Sequence, residues 1–174
     1  MIEKVATAEK QLVVFTLAEE SYAVDINMVK EIIQMQPITR VPGTPPSVEG
    51  VINLRGSVIP IVDLRKRFQL KTIERNKDTR IVVVACKGSE VGVIVDSVAE
   101  VLRISLEAIE PATSVFADEH LEHLLGIVKL TNRLVILLDM DHVLSRQEMA
   151  AIGSLDLKKK NQNNNSSNKE AVLS

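Results

Sequence analysis

The sequence predicts a mainly β protein, two small β-barrels or strongly curled sheets packed side by side. Three observations carry this expectation. The chain repeats itself: residues 12–33 match 81–102 without a gap at an offset of 69, and residues 50–64 match 126–140 at an offset of 76. Each copy consists of short apolar runs broken by glycines and turn residues, the pattern of many short strands. The composition is 45% hydrophobic but only 2% aromatic, so the core has to be built from Val, Ile and Leu. With 174 residues the chain can bury such a core without disulfides or metals.

The elements follow in order. Residues 12–17 and 22–26 read as a hairpin around Ala18-Glu19-Glu20-Ser21. Asn27 is placed to cap a short helix running to about Met35, which Pro37 ends. Val41-Pro42-Gly43-Thr44-Pro45-Pro46 cannot hold regular structure and reads as a rigid connector. Residues 50–54 and 58–64 form a second hairpin across Arg55-Gly56-Ser57, with Pro60 assigning its second strand to a barrel rim. Residues 69–80 are polar and link the copies.

The second copy repeats the scheme, with a hairpin at Lys87-Gly88-Ser89-Glu90, a helix from about Asp96 and a hairpin at Thr131-Asn132-Arg133. The seven extra residues fall in 104–125, with a short helix expected over 118–124. Ser145-Arg146-Gln147-Glu148 is a capping box that opens a final helix to about Leu157. The expected organisation is one unit over 1–157, from repeats at about 12–68 and 81–144, followed by a disordered basic, Asn-rich tail over 158–174.

On a helical wheel the segment 26–35 has two apolar stripes, one of Ile26, Val29 and Ile33 and one of Met28, Ile32 and Met35. The second copy does likewise, with Val95, Val98 and Leu102 on one side and Val101 and Ile104 on the other. A helix over a single core needs only one such stripe. The surplus either packs on the neighbouring copy or helps line a groove that accepts a partner helix, and the two readings are compatible.

Catalytic and cofactor signatures are missing. There is no Gly-x-Gly-x-x-Gly, no Walker loop, no Gly-x-Ser-x-Gly and no Cys-x-x-Cys, so an enzyme is not expected. His120 and His123 are three apart but lack a metal-binding context, and with His142 they read as solvent-exposed histidines; no metal or other cofactor is expected. Asp63 and Asp139 occupy equivalent strand ends, which suits capping better than acid–base work. The single Cys86 lies in an apolar run, reads as a core strand residue and fits a reducing compartment.

Net charge is −2, and residues 158–174 contribute +3, leaving −5 on the body. Nucleic-acid binding is therefore disfavoured, since both a basic face and exposed aromatic platforms are lacking. No apolar stretch approaches the length of a membrane span and no signal peptide is apparent, so a cytoplasmic location is expected. Arg55 is the conspicuous group in the first copy's hairpin that the second copy lacks at that position. It reads as a surface turn residue, as a partner of a carboxylate such as Glu31, or as an interaction anchor.

One stretch carries a family likeness. Val51-Ile52-Asn53-Leu54-Arg55-Gly56-Ser57-Val58-Ile59-Pro60-Ile61-Val62-Asp63-Leu64 resembles the signature of the CheW family of chemotaxis coupling proteins. Residues 22–33, 41–45, 91–98 and 126–139 are similar to the same family, so the likeness runs in order over about 10–150. It implies two intertwined, five-stranded SH3-like barrels and an adaptor without catalysis. It also implies partners: the histidine kinase CheA and the cytoplasmic tips of chemoreceptors, with membrane association only indirect, through receptor arrays. Matched by position, the resemblance offers Val29, Glu31, Ile32, Arg55 and Val101 as receptor-side residues, and Gly50 and Gly92 as kinase-side residues.

Overall fold

The computed structural model describes residues 8–115 and 121–153. The first repeat supplies β1 (Glu9–Leu17), β2 (Glu20–Asp25), β3 (Val29–Gln34), β4 (Val48–Leu54) and β5 (Ser57–Asp63), followed by the short helix α1 (Leu64–Arg67). The second supplies β6 (Arg80–Cys86), β7 (Ser89–Val95), β8 (Ser97–Ser105), β9 (Ile109–Pro111), the short helix α2 (Ala112–Val115), β10 (Leu124–Lys129) and β11 (Leu134–Leu138). A further helix, α3, is described over 146–153. The tail expected over 158–174 lies outside the described residues.

The strands form two sheets, one in the order β8-β1-β2-β11-β10-β9 and the other β3-β6-β7-β5-β4. Shifting by the repeat offsets turns the first order into the second, strand for strand, apart from β9. Each sheet takes a hairpin from one repeat and its remaining strands from the other, three in the sheet of β6 and four, counting β9, in the sheet of β1. The copies are thus intertwined, whereas local sequence reasoning placed them side by side. The parallel pairings β2–β11 and β5–β7 are where the repeats join.

Both sheets close into barrels, here barrel A (containing β1) and barrel B (containing β6). In barrel B the chain beyond β3 returns to pair with β4, with Thr39 and Val51 exchanging two N–H···O bonds of 2.9 Å. In barrel A the equivalent bridge has grown into β9, which pairs with β10. The seven-residue expansion thus made a three-residue strand and α2 out of a single bridge.

The uniform apolarity of the early strands of each repeat has a direct cause. Leu12 and Val14 fill barrel A, and Ile81 and Val83 fill barrel B. Val13, Phe15, Val82 and Val84, on the opposite faces, join one large cluster between the barrels. Strands buried on both faces read as continuous aliphatic runs.

The helices expected over 27–35 and from Asp96 are absent. In their place a three-residue 3-10 turn (Ile26–Met28) leads into β3, and β8 follows β7 directly. A β-bulge explains the misleading spacing. Lys30 and Ala99 are extra residues against their partner strands, so apolar side chains that face packed clusters recur at helix-like intervals, as Val29 and Ile33 do. β-Branched Val and Ile favour the extended form.

Pro60 is not on a rim strand, since β5 lies between β7 and β4. Its partner Val51 turns its own N–H and C=O towards Thr39, and the β5–β7 ladder begins only at Ile61. Pro60 therefore needs no N–H. Of the helix expected over 118–124, residues 118–120 lie outside the described residues, and Leu121 onward is turn leading into β10. The capping box at α3 is formed: Ser145 N–H donates to Glu148 Oε1 at 2.9 Å, and Glu148 N–H to Ser145 Oγ at 3.3 Å.

Candidate functional site

The hairpin joining β4 to β5 turns on Arg55 and Gly56, both at positive φ (+51° and +86°), the primed turn that matches strand twist. The Asn53 side chain steadies it by accepting the Gly56 N–H at 2.9 Å. From this turn the largely exposed Arg55 reaches the Glu31 carboxylate on β3, spanning the two ends of the barrel B sheet. Beside Glu31, Ile32 points outward and is 41% exposed. Val29 is half-buried against the inter-barrel core. Val29, Glu31, Ile32 and Arg55 thus belong to one barrel.

Val101 lies on β8 of barrel A at the position equivalent to Ile32, and it is 54% exposed. Its surroundings repeat those of Ile32. Glu100, equivalent to Glu31, pairs with Arg133 from the β10–β11 turn. Exposed Val58 and Leu134 also correspond to each other. Arg55 therefore has a structural counterpart after all. Sequence comparison hid it because Arg133 aligns with Ser57, two positions along the turn, and only the folded turn shows that the two guanidinium groups do the same job.

Gly50 and Gly92 are buried in barrel B and are tightly enclosed. Gly50 sits at a bulge with φ +144°, where a Cβ would run into the Thr39 carbonyl that closes the barrel. Gly126, its equivalent, would place a Cβ 2.5 Å from the Glu110 carbonyl of β9. At Gly92 a Cβ would lie 2.5 Å from Ile61 Cδ1 and 2.8 Å from Ile81 Cγ2. These glycines set the backbone shape of their barrel and its close packing.

The remaining titratable groups behave as structural parts. Burial pushes the Cys86 thiol up to about 11, and its Sγ donates to the Met140 carbonyl at 2.9 Å, the inert role expected of a core cysteine. Asp63 caps α1 by accepting the Arg65 N–H, and Asp139 accepts the Asp141 N–H in the equivalent turn. His142 is exposed and meets Asp139 at 2.8 Å. His123 is not solvent-exposed as expected: it is half-buried against Phe68, with ring centroids 5.7 Å apart. Burial, and then the nearby Arg67 charge, hold its pKa below the ordinary histidine value. His120 lies outside the described residues.

Among the described residues no group of three or more His, Cys, Asp or Glu side chains could hold a metal ion. Nor is any helix among them long and apolar enough to cross a membrane.

Comparison with known proteins agrees with this architecture. Residues 11–148 match the model of the CheW-like domain. The chemotaxis protein CheW of Bacillus subtilis is 39% identical over 147 residues, covering 84% of this chain and 94% of that protein. The chemotaxis protein CheW of Klebsiella aerogenes is 36% identical over 149 residues, covering 86% of this chain and 90% of that protein. The crystal structure of the scaffolding protein TtCheW from Thermoanaerobacter tengcongensis superimposes with a TM-score of 0.74 at 39% identity, covering 81% of this chain and 96% of that one. A chain that shares its sequence with these proteins along nearly their whole length, and its two barrels with a solved scaffold, belongs to the CheW family and is a non-catalytic chemotaxis scaffold.

Proposed function

We propose that this scaffold couples the cytoplasmic tips of chemoreceptors to the histidine kinase CheA, and that it reaches membrane receptor arrays through those receptors. The observation that supports the receptor side is the exposed aliphatic pair Ile32 and Val101, each next to a glutamate–arginine pair. Aliphatic side chains flanked by fixed charges suit the apolar stripe of a receptor helical hairpin. Val29 lies on the same strand, half-buried at the inter-barrel core, and completes the apolar side of this surface, while Glu31 and Arg55 fix register. The kinase side is assigned to barrel B, where Gly50 and Gly92 shape the backbone on either side of Ile61, because an interface that reads backbone contour needs such tight positions. The working unit is residues 1–157, and truncation after Leu157 should leave both affinities unchanged.

Calorimetric titration against each partner separately tests this reading. Ile32→Asp combined with Val101→Asp puts charge into the apolar contact, and should abolish binding to a receptor signalling fragment while changing affinity for isolated CheA much less. Equal loss of both affinities in a folded variant would mean that the two surfaces overlap, and separate docking would be abandoned.

A further inference from the structure

The repeat symmetry is broken at one conspicuous place. In barrel B, Val48, Val62 and Val91 are buried, at 5%, 0% and 0% exposure. They belong to the same apolar cluster as Ile152 and Met149 of α3. The helix is fastened there by Glu148, itself only 2% exposed. Its carboxylate accepts from Ser47 Oγ at 2.5 Å and lies 3.1 Å from Arg67 Nε.

The repeat offsets convert Val48, Val62 and Val91 into Leu124, Leu138 and Tyr22 of barrel A. Ser47 becomes His123. Among the described residues, α1 reaches them through Arg67 and the following Phe68, whereas the Glu148 clasp of α3 is made on the Ser47 side. The chain after α1 crosses the crevice only with Phe68, Gln69 and Leu70, then leaves along the linker. What remains is a cavity of about 640 Å³ between barrel A and the end of α1, with Tyr22, His123 and Arg67 among its walls. Tyr22, Leu124 and Ile136 are left only partly buried.

The cavity keeps the chemistry of the filled seat. Its walls are aliphatic with an aromatic row, Tyr22 stacking on Phe68 at a centroid distance of 5.8 Å before Phe68 meets His123, while the buried Phe15 backs Tyr22 at 6.0 Å. The imidazole occupies the position from which Ser47 holds a carboxylate. Arg67 lines this cavity as well as contacting Glu148, so a guanidinium stands beside both seats.

We propose that the barrel A cavity is a docking seat for a short amphipathic helix of a partner protein, one that presents a carboxylate to His123 and Arg67. Its aliphatic side chains, one next to the acid and one four residues on, would cover Tyr22, Leu124 and Ile136. That is the arrangement of Glu148, Met149 and Ile152 on α3, the helix that fills the equivalent place in barrel B. The seat is separate from the Ile32 and Val101 surface and from Gly50 and Gly92, so it adds a third contact to the scaffold.

The probe is a synthetic peptide carrying residues 145–153, stapled between positions 147 and 151 and titrated into the full chain while methyl NMR spectra are recorded. Saturable shifts are expected at the methyls of Leu70, Leu124, Ile136 and Leu138. Peptides with Glu148→Gln or Ile152→Ser should bind at least about fivefold more weakly, the loss expected on removing a charged hydrogen bond or an aliphatic contact. In the chain, Ile136→Trp should fill the cavity and prevent binding at an unchanged melting temperature. If that variant does not fold, the peptide series decides alone. Three peptides of equal affinity, no shift at millimolar peptide, or shifts confined to Val48 and Val62 through displacement of α3 would each overturn the proposal.

Discussion

Arg65 grips both carboxylate oxygens of Asp96, Nε to Oδ1 at 2.7 Å and Nη2 to Oδ2 at 2.6 Å. Asp96 lies between β7 and β8, where the chain crosses from barrel B into barrel A, and Arg65 projects from α1. The same carboxylate accepts the Ala18 N–H at 2.8 Å from the β1–β2 turn. One fork thus ties three chain segments together at the junction of the barrels. Burial alone would raise the Asp96 pKa, but the Arg65 and Ala18 hydrogen bonds outweigh it and hold the pKa below the ordinary carboxylate value.

Removing the fork should therefore cost stability in a pH-dependent way. Arg65→Ala is expected to lower the unfolding free energy by about 2 kcal/mol, the size of a charge-assisted bidentate contact that is largely shielded from water. Asp96 takes up its proton at higher pH when unfolded than when folded. Its contribution is complete above about pH 4, the ordinary carboxylate value, and is lost as pH falls through the lowered folded value. Urea unfolding at pH 7 and pH 3 should show the gap between the native chain and Asp96→Asn closing on acidification. A gap that is constant with pH would mean that the fork contributes nothing through its charge.

The two bulge glycines make a sharper prediction. Gly50→Ala and Gly126→Ala each push a methyl group into a carbonyl of the strand or bridge that closes a barrel, so each should lower stability by about 2–3 kcal/mol. Gly88→Ala is the control. Like Gly50 it has positive φ, +81°, but nothing lies within 4 Å, so only the strain of about 1 kcal/mol should appear. Thermal melts of the three variants check the order. Equal losses would show that the close approach is relieved by movement of Thr39 and Glu110.

These glycines also show what was legible in the sequence. The offset of 76 pairs Gly50 with Gly126 on sight, and together with the offset of 69 it pairs every strand of one sheet with a strand of the other apart from β9. What it does not show is that each repeat lends a hairpin to the other's barrel, because the same local pattern fits both arrangements. β3 and β8 look helical in the sequence for a related reason. Bulges at Lys30 and Ala99 interrupt the two-residue alternation on which strand recognition depends, and the resulting spacing imitates a helix. The Arg133–Glu100 pair was invisible because contact across a turn does not respect alignment columns. The capping box and the core role of Cys86 were readable because each depends on residues next to one another in sequence.

Arg55 offers a test that separates folding from the proposed coupling. It is 71% exposed at its side chain, and the pair with Glu31 should contribute less than about 1 kcal/mol to stability. Arg55→Glu should keep a native circular dichroism spectrum and melting temperature yet fail to assemble a receptor–kinase complex in a sedimentation assay. Arg133→Glu is the matched comparison on barrel A. Normal assembly with Arg55→Glu would leave the Glu31 pair with no part in coupling, while loss of the fold would make the pair a structural closure of barrel B.

Glu148 is the reverse case, a charge whose removal should act on the fold. Its carboxylate is 3% exposed and serves three groups at once: the Ser145 N–H, which is its half of the capping box, Ser47 Oγ and the Arg67 guanidinium. Glu148→Ala deletes the acceptor, leaves the buried Ser47 hydroxyl unpaired and takes the counter-charge from Arg67, which should cost about 3 kcal/mol. Because α3 carries Ile152 and Met149 into the inter-barrel core, the helix should release as a unit. Limited proteolysis should then cut near residues 144–146 well before global unfolding. Glu148→Gln keeps one acceptor and the side-chain volume, so it should recover part of the loss but not the Arg67 attraction. Hydrogen exchange at the α3 amides distinguishes release of the helix from general softening. Protection lost there, with β1 and β6 still protected, is the expected result, and uniform loss across both barrels would show that Glu148 supports the whole core rather than a single clasp.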